Sequence, residues 1–156
     1  MNEHYAVMIT GFPLFKGFTL DGAHMLLECG EVKEFSAGET LIKEGDGATF
    51  VLLLLAGKLQ VFVQREGLDL LLTDAGPGTI LGDLAVLCGI PRSASVRASE
   101  KSTILQWSAA AFRSLLLRDA FLSQRIFRES LRTLIEKERS LIDSVIRSQG
   151  GMKENE

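Results

Sequence analysis

The run "TFVLLLLAGKLQVFVQREGLDLLLTDAGPGTILGD", Thr49 to Asp83, decides the fold. It is a series of short apolar stretches punctuated by Gly57, Gly67, Gly76, Gly78 and Gly82. Val61 and Val63 alternate with Gln60, Phe62 and Gln64, the period of a half-buried strand. Glu66-Gly67 is a two-residue turn placed to close a hairpin between "KLQVFVQ" and "LDLLLTD". The longest apolar run, "FVLLLLA" at 50–56, is too short to span a bilayer. Working outward, "VKEF", "TLIKEGD", "TILGD" and "STILQW" repeat the strand-then-turn pattern. Many short strands with regular glycine turns predict a mainly β, antiparallel barrel or roll over residues 31–107.

Helical signals flank this region. Thr19 is placed to cap a helix carrying Leu20, Ala23, Met25, Leu26 and Leu27, which Gly30 is expected to stop. Residues 1–30 thus read as an N-terminal helical segment, with Phe12, Leu14, Phe15 and Phe18 expected to pack onto the next part of the chain. Downstream, residues 108–149 read as C-terminal helices. Ser108 is placed to cap "AAAFRSLLL", and a longer helix is predicted from about 119 to 148, stopped by Gly150-Gly151 and succeeded by a frayed tail over 150–156. Phe127, Leu131, Leu134, Leu141 and Val145 fall on a 4-3 spacing, interrupted by Glu138 and widened by Ile135, Ile142 and Ile146. Such a stripe either packs on its own roll or forms a coiled-coil seam with a second copy. A helix this long overhangs a small roll, which favours a homodimer.

The chain has 156 residues, 46% of them hydrophobic and 24% charged, with a net charge of −3. That is one globular domain without the basic footprint of direct DNA binding. The N-terminus lacks a signal-peptide pattern, so a soluble, cytoplasmic protein off the membrane is expected. Cys29 and Cys88 lie in segments that read as buried, which predicts reduced core thiols. His4 and His24 both precede the roll. A metal site of the cupin kind needs several histidines inside the barrel, and no Ser-His-Asp or Cys-His arrangement is readable. No catalytic residue, metal or cofactor is expected.

One segment does not fit a plain core. "ILGDLAVLCGIPRSASV", residues 80–96, is apolar except for Asp83 and Arg92. Gly82 allows a tight turn out of a strand, and "DLAVL" is long enough for about one helical turn, whose free N–H groups favour an anion. Pro91 directs the chain out of that turn. Arg92 grips phosphate with parallel hydrogen bonds, and Ser93 adds a hydroxyl. Together these make a site for one phosphate. Asp83 would repel that phosphate on contact and suits a neighbouring sugar hydroxyl instead. The competing reading is that Asp83 and Arg92 simply pair with each other.

The segment resembles the phosphate-binding cassette of cyclic-nucleotide-binding domains, which reads Phe/Ile-Gly-Glu-Leu-Ala, a short variable stretch, then Pro-Arg-Ala/Ser-Ala-x-Val. Here it stands as Leu81-Gly82-Asp83-Leu84-Ala85 and Pro91-Arg92-Ser93-Ala94-Ser95-Val96. The likeness runs upstream through "FSAGETLIKEGDGATFVLLLLAGKLQV" and downstream through "VRASEKSTILQWSAAAFRSLL", covering residues from about 14 to 135. It implies an antiparallel β-roll, a double-stranded β-helix of jelly-roll type, with N-terminal helices and a long C-terminal helix over the pocket. It implies cyclic AMP or cyclic GMP as ligand. Arg92 would hold the cyclic phosphate with Ser93 in support, Gly82, Leu84 and Ala85 would offer backbone groups, and position 83 would accept the ribose 2′-hydroxyl. The family's usual residue at that position is Glu. Asp83 is shorter by one C–C bond, about 1.5 Å, which makes a direct ribose contact harder. In the catabolite-activator branch a Thr-Ser pair on the long helix reads adenine. Counted without a gap from Arg92, those positions fall on Lys137 and Glu138. Glu138 either accepts from an exocyclic amine of the base or is a solvated residue at the seam.

Only a few polar residues come after the long helix, so no helix-turn-helix is expected. Two functions remain. One is a regulatory module that signals through its long helix to a dimer mate or a separate protein partner. The other is a degenerate relative that binds no nucleotide and acts as a constitutive dimerisation module.

Overall fold

The computed structural model of the protein describes residues 2–154. Helices α1 (Asn2–Thr10) and α2 (Leu20–Glu28) precede eight strands: β1 (Glu31–Phe35), β2 (Thr40–Ile42), β3 (Phe50–Ala56), β4 (Leu59–Arg65), β5 (Leu68–Ala75), β6 (Ile80–Leu81), β7 (Ser95–Ala98) and β8 (Ser102–Ser108). The short helix α3 (Asp83–Cys88) lies between β6 and β7, and α4 (Ala109–Arg118) and α5 (Ala120–Glu154) close the chain. The strands form two antiparallel four-stranded sheets, β1-β8-β3-β6 and β2-β7-β4-β5, so the expected roll is present with its flanking helices.

The apolar run 50–56 has no alternation because both faces of β3 are buried. Leu52 and Leu54 point into the space between the sheets with Leu59, Val96 and Ile104. Val51, Leu53 and Leu55 point the other way, into a second core with Ile9, Leu26, Phe112 and Ile126 from the helices. Trp107 on β8 belongs to this second core and donates its indole N–H to the Leu26 carbonyl at 2.9 Å. Phe15 is fully buried there, and Phe12, Leu14 and Phe18 pack around it, as their clustering implies. Continuous hydrophobicity is what a strand covered on both sides requires.

Local signals land where the chemistry places them. Thr19 accepts from the Gly22 amide, and Ser108 from the Ala111 amide, both at 3.1 Å, as N-caps of α2 and α4. Arg65 pairs with Leu68, leaving Glu66 and Gly67 as a two-residue hairpin loop. Both have positive φ, 54° and 77°, which matches the twist of the strands they join. Gly30 does come just after α2, but for another reason than expected. A Cβ there would lie 2.7 Å from the Gln106 carbonyl oxygen and 2.8 Å from the Trp107 ring, so the residue permits β8 to pass close by.

Two expectations are overturned. Gly150-Gly151 does not stop the last helix, because α5 runs on to Glu154. Gly150 does not adopt the left-handed conformation that ends helices. A glycine in a helix interior costs only about 1 kcal/mol relative to alanine, which a long helix tolerates. The expected frayed tail falls partly on 155–156, outside the described residues. Cys88 is not a core thiol either. It occupies the exposed last turn of α3, while Cys29 is half-buried beside the Arg118 guanidinium, and both are free. A six-residue helix has one buried face, and here Ala85 and Val86 occupy it.

Helix α5 is docked only at its start. Leu122 and Ile126 are buried, and Arg125 donates to the Lys16 carbonyl. Phe127, Leu131, Leu134, Leu141 and Val145 are exposed, as are Ile135, Ile142 and Ile146. The edge strand β5 carries four more exposed leucines, Leu68, Leu70, Leu71 and Leu72.

Candidate functional site

The site grows out of the β6–α3–β7 connection. Gly82 ends β6 with φ 84° and ψ 3°, a left-handed turn that L-residues avoid, and α3 starts immediately after it. Gly89 closes α3 in the same conformation, and the chain passes Ile90 and Pro91 to Arg92. The Arg92 backbone is pinned on both sides: its amide donates to the Asp46 carbonyl, and its carbonyl accepts from the Gly45 amide, each at 2.9 Å. Ser95, at the start of β7, accepts from the Glu44 amide and tightens the same junction. Arg113 of α4 donates to the Val86 carbonyl and holds α3 from behind.

Anchored in this way, the Arg92 side chain turns inward and is only 5% exposed. One guanidinium nitrogen donates to the Gly82 carbonyl at 2.8 Å, and the other to the Phe50 carbonyl. The guanidinium carbon lies 4.9 Å from the centre of the Phe50 ring. A side chain at position 82 has no room, because its Cβ would sit 2.5 Å from the guanidinium. No Asp83–Arg92 ion pair forms among the described residues, so the simple pairing of the two charges is not what holds them. Burial lowers the Arg92 pKa from its ordinary value, and the nearby Asp83 charge opposes that shift. The result is a buried cation held by neutral carbonyls and an aromatic face. A buried charge without a counter-ion is unfavourable, and guanidinium is the group best shaped to take a phosphate in compensation.

Asp83 is the first residue of α3 and is half-buried. Its carboxylate accepts the hydroxyl of Ser130, a residue of α5 that is 8% exposed. Burial raises the Asp83 pKa. Hydrogen bonds from Ser130 and from the amides of Asp83 and Leu84 pull it down, as does the Lys137 charge.

The structure thus joins Gly82, Asp83 and Arg92, with Leu84 half-buried and Ala85 buried behind them. Ser93 is exposed, and its hydroxyl makes no hydrogen bond within the chain among the described residues. Glu138 is exposed on α5 and is not joined to the cassette by a hydrogen bond. The α5 residue that does reach the cassette is Ser130, two turns before the position counted from Arg92. Its signal was a polar break in the i, i+4 row Leu122, Ile126, Ser130, Leu134. Phe50, which meets Arg92 with both its carbonyl and its ring, carried no sequence signal beyond strand membership.

Comparison with known proteins agrees with this geometry. The family model described as "Cyclic nucleotide-binding domain" matches residues 32–119. A cAMP-dependent protein kinase regulatory subunit from Blastocladiella emersonii is 29% identical over 115 residues, 73% of this chain. The chain spans 28% of that relative's length. The crystal structure of the Thermus thermophilus catabolite activator protein superposes with a TM-score of 0.75 at 25% identity, covering 83% of this chain and 61% of that one. The regulatory subunit of a cAMP-independent protein kinase A from Trypanosoma brucei superposes with a TM-score of 0.74 at 20% identity, covering 90% and 51%, a likeness of fold alone.

Proposed function

The chain belongs to the cyclic nucleotide-binding domain family, and from that premise we propose that it is a regulatory module whose own cassette binds cyclic AMP or cyclic GMP. The observation that carries this reading is the Arg92 guanidinium, 5% exposed and facing carbonyls, with no carboxylate at ion-pair distance among the described residues. A cyclic phosphate supplies the missing counter-charge. It takes N–H donors from Arg92 and the hydroxyl of Ser93, while the Asp83 carboxylate accepts from the ribose. The family is a binding domain, and no catalytic step is assigned to these residues.

Output runs through α5. Its exposed stripe keeps a coiled-coil spacing, and a second copy laid along it buries Leu131, Leu134, Leu141 and Val145. The exposed leucines of β5 offer a second apolar surface, either to that copy or to a separate protein partner. The net charge of −3 does not favour DNA as the partner of these residues.

One observation favours the alternative of a constitutive interaction module. Asp83 is already satisfied by Ser130, and Arg92 by two carbonyls, so the cassette is closed upon itself. Titration calorimetry with cyclic AMP, cyclic GMP and their linear 5′-monophosphates separates the readings. The binding module takes a cyclic form in preference to both linear ones, and Arg92→Ala weakens that binding by about 2–5 kcal/mol, the range for removing one partner of a buried charge pair. No heat with any nucleotide, or equal affinity in Arg92→Ala, overturns it.

A further inference from the structure

We propose that Ser130 is a latch: its hydroxyl occupies the Asp83 carboxylate that a ribose hydroxyl needs, so the ribose contact of a bound nucleotide and docking of this turn of α5 exclude each other. The inference rests on the cassette binding a cyclic nucleotide and names how that site is regulated.

The position of Ser130 along α5 is the first argument. Exposure along one row of the helix rises from 1% at Leu122 and 2% at Ile126 to 8% at Ser130 and 44% at Leu134. Ser130 is therefore the last buried residue of α5 among the described residues, at the point where the helix leaves the body. Among those residues its bond to Asp83 is the only hydrogen bond from α5 to the cassette. The other anchor, Arg125 to the Lys16 carbonyl, joins α5 to the N-terminal segment and not to the cassette.

The second argument is the reach of Asp83. A carboxylate on one methylene stays close to the α3 backbone, and the hydroxyl of Ser130 donates to it there. Ser130, itself 8% exposed, occupies one of its oxygens. A ribose hydroxyl donating to this carboxylate arrives where the serine hydroxyl stands. The exchange replaces one O–H donor by another, so the ribose contact contributes little net affinity while the serine is released. That release is the differential interaction a ligand needs in order to shift a conformational equilibrium. With Ser130 freed, α5 remains held by Leu122, Ile126 and Arg125, and the helix pivots beyond Ile126 rather than detaching.

The test is a cycle between Ser130→Ala and the ribose 2′-hydroxyl. In the wild type, cyclic AMP and 2′-deoxy cyclic AMP should bind with affinities within a few-fold of each other. In Ser130→Ala the competitor is gone. Cyclic AMP should then bind about 10- to 100-fold more tightly, the worth of a hydrogen bond to a charged acceptor, while the 2′-deoxy analogue is unchanged. Ser130→Thr keeps a hydroxyl and should restore wild-type behaviour. Amide exchange in the peptide spanning Ser130 should rise with cyclic AMP but not with the 2′-deoxy analogue. It should already be raised in nucleotide-free Ser130→Ala. Weaker cyclic AMP binding in Ser130→Ala, or equal changes for both nucleotides, overturns the latch and leaves nucleotide binding standing. Absence of binding by wild type and variant alike overturns the binding reading and the latch with it.

Discussion

Gly82→Ala probes the seat of Arg92 without any ligand. Position 82 has φ 84°, where an L-residue costs about 1–2 kcal/mol. The new Cβ would also lie 2.5 Å from the Arg92 guanidinium and 3.4 Å from Ile42, so the guanidinium must leave the Gly82 carbonyl. Losing a hydrogen bond made by a charged donor adds about 1.5–3 kcal/mol. The expected destabilisation is therefore about 2.5–5 kcal/mol. Gly89→Ala is the control, because Gly89 also has positive φ, 65°, yet a Cβ there meets nothing within 4 Å. It should cost the backbone term alone. In urea, with a slope of about 1–3 kcal/mol per molar, Gly82→Ala should lower the unfolding midpoint by at least about 1 M and clearly more than Gly89→Ala. In an Arg92→Leu background the two substitutions should become equal. Equal midpoints for the two in the wild-type background would refute the seating of Arg92 against Gly82.

The carboxylate and the long helix can be probed in the same way. Burial raises the Asp83 pKa above its ordinary 3.8, so the folded state favours the protonated form. That contribution is fully present below 3.8 and is lost as pH rises through the raised folded value. Asp83→Asn, which keeps an acceptor for Ser130, should accordingly melt above the wild type at pH 7, with the gap narrowing as pH falls; a gap independent of pH would show that the carboxylate is not desolvated. Leu134→Asp lies on the exposed stripe, and it should shift sedimentation from dimer to monomer while leaving the melting temperature of the monomer nearly unchanged. An unaltered sedimentation profile would remove α5 from the dimer interface.

The strands are legible because a roll is written in local terms. Turn glycines, a two-residue loop at Glu66-Gly67 and apolar stretches on either side carry their own geometry. The caps Thr19 and Ser108 are equally readable, since each acts on an amide three residues away. Gly30 reads as a stop signal, and its real constraint is the passage of β8, 76 residues later at Gln106. Cys88 reads as buried because its neighbours are apolar, yet the short helix turns it outward. The sequence of β5 gives no sign that Leu68, Leu70, Leu71 and Leu72 are exposed; that follows from its place at the edge of the sheet.

In the cassette, spacing and residue type are enough to single out Gly82, Asp83 and Arg92. Those requirements are local: a left-handed turn, a first helical residue and a cation after a proline. What the two charges actually touch was beyond the reach of sequence. Arg92 meets the Phe50 carbonyl 42 positions away, and Asp83 meets Ser130 at a separation of 47. Such contacts depend on how the sheets close and where α5 crosses α3, neither of which leaves a mark in the residues themselves. The amino-acid sequence determined which groups the site contains, because backbone conformation and charge are properties of single residues and short spacings. Tertiary packing alone decided their partners, because a hydrogen bond is set by distance in space and not by distance along the chain.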